Sequence, residues 1–82
     1  MTGGTVMDWH THIMIDAQVL AGKPVIKGTR ISVELVLELL ARGASVAEIL
    51  AEYDHLSPEA VQACLAYAHD LLEAERVYVT PR

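Results

Sequence analysis

The ten residues Gly22-Lys23-Pro24-Val25-Ile26-Lys27-Gly28-Thr29-Arg30-Ile31 constrain this chain more than any other stretch. Pro24 fixes φ and offers no backbone donor, while Gly22 and Gly28 admit backbone angles closed to residues that carry a Cβ. Val25 and Ile26 between them favour an extended backbone. The segment therefore predicts a tight β corner joining a short extended stretch to three helical segments. It also holds three of the six Lys and Arg residues in a chain of net charge −5. Such a corner is either architecture or a surface for an anionic partner, and its residues alone allow both.

Elements on both sides of the corner follow from local signals. His12–Asp16 alternates weakly and predicts a short strand. Ala17–Pro24 reads as a loop closing in a turn at Gly22-Lys23-Pro24, after which Val25–Lys27 pairs back as a second strand. Ser32 caps a first helix, with Glu34 in its first turn and Ile31 placed to staple onto Val36; that helix runs to Arg42 and stops at Gly43. Ser45-Val46-Ala47-Glu48 fits a capping box for a short second helix ending near Tyr53. Ser57-Pro58-Glu59 opens a third helix, with Leu56 and Val61 as its staple, that continues to about Glu75. Val77–Thr80 alternates and predicts an extended end. The expected organisation is a flexible tail over residues 1–11, one domain over 12–76 and a C-terminal tail over 77–82. The fold class is mainly α: a three-helix, winged-helix or helix-turn-helix-like domain with a short N-terminal β-hairpin.

Eighty-two residues make one domain, and 52% hydrophobic with 21% charged residues is a globular composition. Phe is absent, so the core rests on Leu, Val, Ile and Ala, and a core of this size supplies only about 3–5 kcal/mol. The single cysteine, Cys64, excludes an internal disulfide, which leaves oligomerisation as the expected source of further stability. The first helix supports that expectation. Val33, Leu35, Val36, Leu37, Leu39 and Leu40 cover more than one stripe and leave only Glu34, Glu38 and Arg42 polar, so a homodimer is expected with Val33, Val36, Leu37 and Leu40 at its interface. In the third helix Val61, Leu65, Ala68 and Leu72 lie on one apolar side, with Cys64 and Leu71 beside it. No secretory signal is visible and no apolar run approaches the ~20 residues of a membrane span. A cytoplasmic protein with no membrane partner is expected.

Taken in order, the strand, G-K-P-V-I-K-G-T-R-I, an apolar helix, G-x-S-x-x-E-I-L-x-x-Y and S-P-E-x-V-x-A-C-L-A-Y-A closely resemble the small prokaryotic proteins catalogued as domain of unknown function 433. The resemblance covers Ile13 to about Glu75. It implies a compact helix-turn-helix or winged-helix relative, similar to antitoxins encoded beside small PIN-like ribonuclease toxins. Family members often carry Cys-Gly-Gly before the Lys-Pro, where this chain has Leu20-Ala21-Gly22; a role tied to that thiol does not carry over.

The third helix offers Glu59 and Gln62 in its first turns and no Lys or Arg, so phosphates would repel it rather than seat it in a groove. If the protein contacts DNA, Lys23, Lys27 and Arg30 are the residues expected to do so, doubled in a dimer. The alternative is that they solvate a β turn and that Arg30 pairs with an acidic helix residue. Gly22-Lys23 is not a phosphate loop, because Ala17 and Pro24 stand where that motif needs Gly and Ser or Thr. His10, His12, His55 and His69 have no spacing that forces convergence on a metal. Cys64 lies on an apolar surface and reads as an inert buried thiol. Glu48 and Glu52 read as a solvated helix face. Nothing assembles a nucleophile, base and orienting group, so no enzyme and no cofactor is expected. Trp9 should dock on the domain or on a partner. Arg76, Tyr78 and Arg82 could hold a partner by strand addition or by reaching its catalytic carboxylates. The expected function is a regulatory protein resembling the antitoxin of a type II pair, binding a PIN-like nuclease and operator DNA. The alternative is a homodimeric interaction module or DNA-binding protein with no toxin partner.

Overall fold

Alternation in the N-terminal stretch and the branched pair after Pro24 produce two very short strands in the computed structural model, which describes residues 6–74. Strand β1 (Ile13–Met14) pairs antiparallel with β2 (Val25–Ile26), Ile13 opposite Ile26 and Met14 opposite Val25. β1 is shorter than the expected His12–Asp16 because Asp16 leaves the ladder to build a turn. Its Oδ1 accepts from the Gln18 N–H at 2.8 Å and its carbonyl from the Val19 N–H at 2.8 Å. The other edge of β2 is also engaged. Ile26 N–H donates to the Ile31 carbonyl at 3.0 Å, Val33 N–H donates to the Pro24 carbonyl at 3.0 Å, and Val25 bridges to Ser32. The corner is therefore a staple holding the N-terminal stretch to the helical part.

Helix α1 (Val33–Ala41) starts where Ser32 accepts the Leu35 N–H on its hydroxyl. It stops at Gly43, whose φ of +102° lets its N–H reach the Leu40 carbonyl while the Ala44 N–H reaches Leu39. Helix α2 (Val46–Glu52) has the expected capping box in both directions: Glu48 N–H to the Ser45 hydroxyl at 3.0 Å, Ser45 N–H to the Glu48 carboxylate at 2.8 Å. Helix α3 (Pro58–Ala74) begins after Ser57, whose hydroxyl accepts from the Ala60 N–H at 3.0 Å.

The core gathers Ile13, Ile26 and Ile31 from the corner, Val33 and Val36 from α1, Ile49 from α2, Leu56, and one face of α3. That face takes in Val61 and Cys64 from the apolar side read in the sequence, but is turned toward the alanines. Ala60, Val61, Ala63, Cys64 and Ala66 are buried, while Leu65 and Leu72 are 43% and 71% exposed. Small side chains let α3 lie close to α1 and β1, so the helix turns its alanines inward and its leucines outward. The N-terminal boundary also moves. Trp9–Thr11 form a 3-10 turn packed on α3, so docked structure begins at Trp9, inside the stretch expected to be tail. The remaining tail, residues 1–5, and the expected extended end Val77–Thr80 lie outside the described residues.

Candidate functional site

The basic corner is built around Thr29. Its hydroxyl donates to the Ile26 carbonyl at 2.8 Å and accepts from the Ile31 N–H at 2.9 Å, while its own N–H reaches the Ile26 carbonyl at 3.0 Å. With Gly28 at φ +79°, this closes the turn between β2 and Ile31 and fixes the backbone from which Lys27 and Arg30 project. Sequence reasoning passed over Thr29; its signal was a hydroxyl in a turn, one residue after a glycine.

The three cations do not form one cluster. Lys23 lies before β2 and its ammonium sits 3.3 Å from Glu34 Oε1 on α1. Lys27 and Arg30 lie after β2, with Lys27 roughly 13 Å from Lys23 along extended chain. Among the described residues neither has an ion-pair partner, so the expected pairing of Arg30 with a helix carboxylate is made by Lys23 instead. Lys27 and Arg30 also border different hollows, Lys27 beside His12 and His55, Arg30 beside Met14 and Val19.

Immediately before Lys23 the backbone is strained. Leu20 and Ala21 have φ of +48° and +55°, followed by Gly22 at +85°. Side-chain-bearing residues rarely adopt these angles. Gly22 N–H to the Val19 carbonyl at 3.0 Å and Lys23 N–H to the Leu20 carbonyl at 3.1 Å hold the turn closed.

Of the four residues expected at a dimer interface, Val33 and Val36 are 2% and 0% exposed within the chain's own core and offer no surface to a partner. Leu37 and Leu40 are half-buried against that core. The larger uncovered apolar surface is on α3. The stripe Ala60, Cys64, Tyr67, Leu71 passes from buried at its start to 45% exposed at Leu71. Leu65 and Leu72 are exposed beside it.

Trp9 settles on the domain. Its indole N–H donates to Asp70 Oδ2 at 2.9 Å and its ring meets Tyr67 edge-on with centroids 4.8 Å apart. His69 Nδ1 lies 3.2 Å from the other Asp70 oxygen, and these contacts, His69 first and Trp9 second, hold the Asp70 carboxyl below its usual range. On the same turn the His10 ring stacks on Trp9, 2.6 Å from Asp8, and lowers the Asp8 carboxyl through that hydrogen bond.

Burial pushes the Cys64 thiol up to about 11, so it is protonated at neutral pH and a poor nucleophile. Glu48 and Glu52 border an open groove of about 380 Å³ with Leu39, Ala44, Ile49 and Tyr53, and Glu48 is engaged in the capping box. No group of three metal-ligating side chains converges among the described residues. Nor is any helix there long and apolar enough to cross a membrane. Arg76, Tyr78 and Arg82 lie outside the described residues.

The order of corner, apolar helix and capped helix pair matches a family model described as protein of unknown function (DUF433), over residues 13–68. The chain belongs to the DUF433 family. The crystal structure of a DUF433 member protein from Anabaena variabilis ATCC 29413 superposes with a TM-score of 0.73 at 31% identity, over 79% of this chain. The chain spans 64% of that protein's length. No curated protein matches. The matched region takes in the corner, α1, α2 and more than half of α3, but not Trp9 or the exposed leucines Leu71 and Leu72.

Proposed function

We propose that this DUF433 protein is a non-enzymatic regulator of the cytoplasm, resembling the antitoxin of a type II pair, which acts as a homodimer and binds a small PIN-like nuclease. The observation that carries the reading is the uncovered apolar strip on α3, Leu65, Ala68 and Leu72 with Leu71 alongside. Exposed aliphatic surface of this kind on an acidic chain marks a protein interface. Its spacing of three and four residues is that of helices that pair along a seam, and its immediate flanks are Gln62 and His69, with Glu73 one step further round. The protonated Cys64 and the engaged Glu48 favour binding over chemistry.

Light scattering at micromolar concentration should give about twice the chain mass of 9.0 kDa. A Leu65→Glu, Leu72→Glu double variant should halve that mass while the helical signal remains, since both side chains are exposed. A parent protein of single-chain mass refutes the dimer. Co-expression with the product of an adjacent nuclease gene should co-purify both chains; recovery of this chain alone refutes the antitoxin reading and leaves the interaction module without a toxin.

A second reading has its own support. Lys27 and Arg30 project from a rigid turn with no ion-pair partner among the described residues, which suits contact with operator DNA. Binding to the upstream region should weaken steeply with salt and be lost in a Lys27→Ala, Arg30→Ala variant.

A further inference from the structure

His12, Lys27 and His55 are far apart in sequence and meet at one small cavity of about 200 Å³. The sheet brings two of them together: Lys27 N–H donates to the His12 carbonyl at 2.8 Å, directly beyond the Ile13–Ile26 pair. The turn between α2 and α3 supplies His55. Buried Leu56 anchors that turn, and its N–H reaches the Tyr53 carbonyl at 2.9 Å. Thr11, Thr29 and Ser57 complete the polar wall, Thr29 with its hydroxyl already engaged in the corner. The Ser57 oxygen already accepts from Ala60 N–H, which leaves its proton to donate outward.

The chemistry of this wall is unlike that of the surrounding surface. The chain has eleven Asp and Glu residues, yet none of the described carboxylates lines the cavity. The carboxylate beside His55 is Asp54, whose Oδ1 is 3.7 Å from His55 Nδ1. Lys27 brings a positive charge that no ion pair neutralises among the described residues. The two imidazoles and the Ser57 hydroxyl bring further donors. A metal cation would be opposed by the Lys27 charge, whereas a phosphate group brings negative charge and mainly acceptor oxygens, which suit these donors.

We propose that the cavity between the β1–β2 sheet and the start of α3 binds a phosphate group, held by Lys27 with donors from His12, His55 and Ser57. The site goes beyond the partner-binding reading and does not depend on it. It deepens the DNA-contact reading, because it singles out Lys27 from the three basic residues and adds two histidines to it.

The test uses the full chain, isotope-labelled, and inorganic phosphate as the probe, with ionic strength held constant by chloride. Phosphate should shift the His12 and His55 ring signals and the Lys27 amide along a saturable curve in the millimolar range. Lys27→Met should weaken that binding fivefold or more, as should His55→Gln; both side chains are exposed, so each variant should keep the parent's circular dichroism. Lys23→Met, at the far end of β2 and paired with Glu34, should leave it unchanged. A short DNA duplex distinguishes the source of the phosphate. If it moves the same signals at lower concentration, the ligand is a nucleic-acid backbone; if only inorganic phosphate does, it is a free phosphate or phosphate ester. Shifts that never saturate, or equal loss in Lys23→Met and Lys27→Met, would overturn the proposal, since both mean diffuse screening. A dimer that fails to form, or a nuclease that fails to co-purify, would leave these signals as they are.

Discussion

Replacing Ala21 with glycine should stabilise this protein, although the same change in most positions does the opposite. Ala21 has φ +55° and ψ +35°, between Leu20 at +48° and Gly22 at +85°. Holding an L-residue with a Cβ in that left-handed region costs roughly 1–2 kcal/mol. Glycine removes that strain but adds unfolded-state freedom worth about 0.4–1 kcal/mol. The Ala21 methyl is exposed, so little packing is lost. The balance is a gain of about 0–1.6 kcal/mol, and its central value of about 0.8 kcal/mol raises Tm by about 3–6 °C for a domain of this size. Urea denaturation and a thermal scan of Ala21→Gly against the parent measure it directly. Gly22→Ala, at φ +85°, should move stability the other way. An Ala21→Gly protein less stable than its parent would refute the assignment of strain to this turn.

Other expectations are equally direct. Thr29→Val removes both hydroxyl hydrogen bonds of the corner and orphans the Ile31 N–H, which should cost about 1–3 kcal/mol in urea denaturation, while Thr29→Ser should recover most of it. Asp70 is held below its ordinary 3.8, so its contribution to docking Trp9 is present above about pH 4 and is lost as pH falls through the lowered value. Asp8, lowered beside His10, acts in the same window. The fluorescence of the single Trp9 should report an acid transition that Asp70→Asn shrinks; an unchanged transition would place the docking elsewhere. Cys64, with its thiol pushed up to about 11, should resist an aromatic disulfide reagent at pH 8 in the native state and react fully in urea. Rapid reaction in the folded protein would contradict its burial.

Much of the architecture was legible because it is written in short-range chemistry. Ser45 and Glu48 satisfy each other's backbone within one turn, Ser32 and Ser57 cap their helices, and Gly43 takes the left-handed angle that ends α1. The pairing across Pro24 likewise depended on local rules of φ and of missing donors. These features hold whatever the rest of the chain does, so the sequence alone determined three helices, their order and a β corner before them.

What lies across the fold was not legible in the same way. Periodicity showed that α3 has an apolar side, but two stripes competed for the interior. The alanine-rich one won because its small side chains allow close packing against α1 and β1, leaving Leu65 and Leu72 outside. The bonding of Trp9 to Asp70 spans sixty-one residues, and spacing carries no signal over that range. The same holds for His12, Lys27 and His55, and for the pairing of Lys23 rather than Arg30 with the first helix. Tertiary structure alone decided which apolar face is hidden and which charges stand together, because burial and electrostatic contact depend on distances in space that the order of residues does not contain.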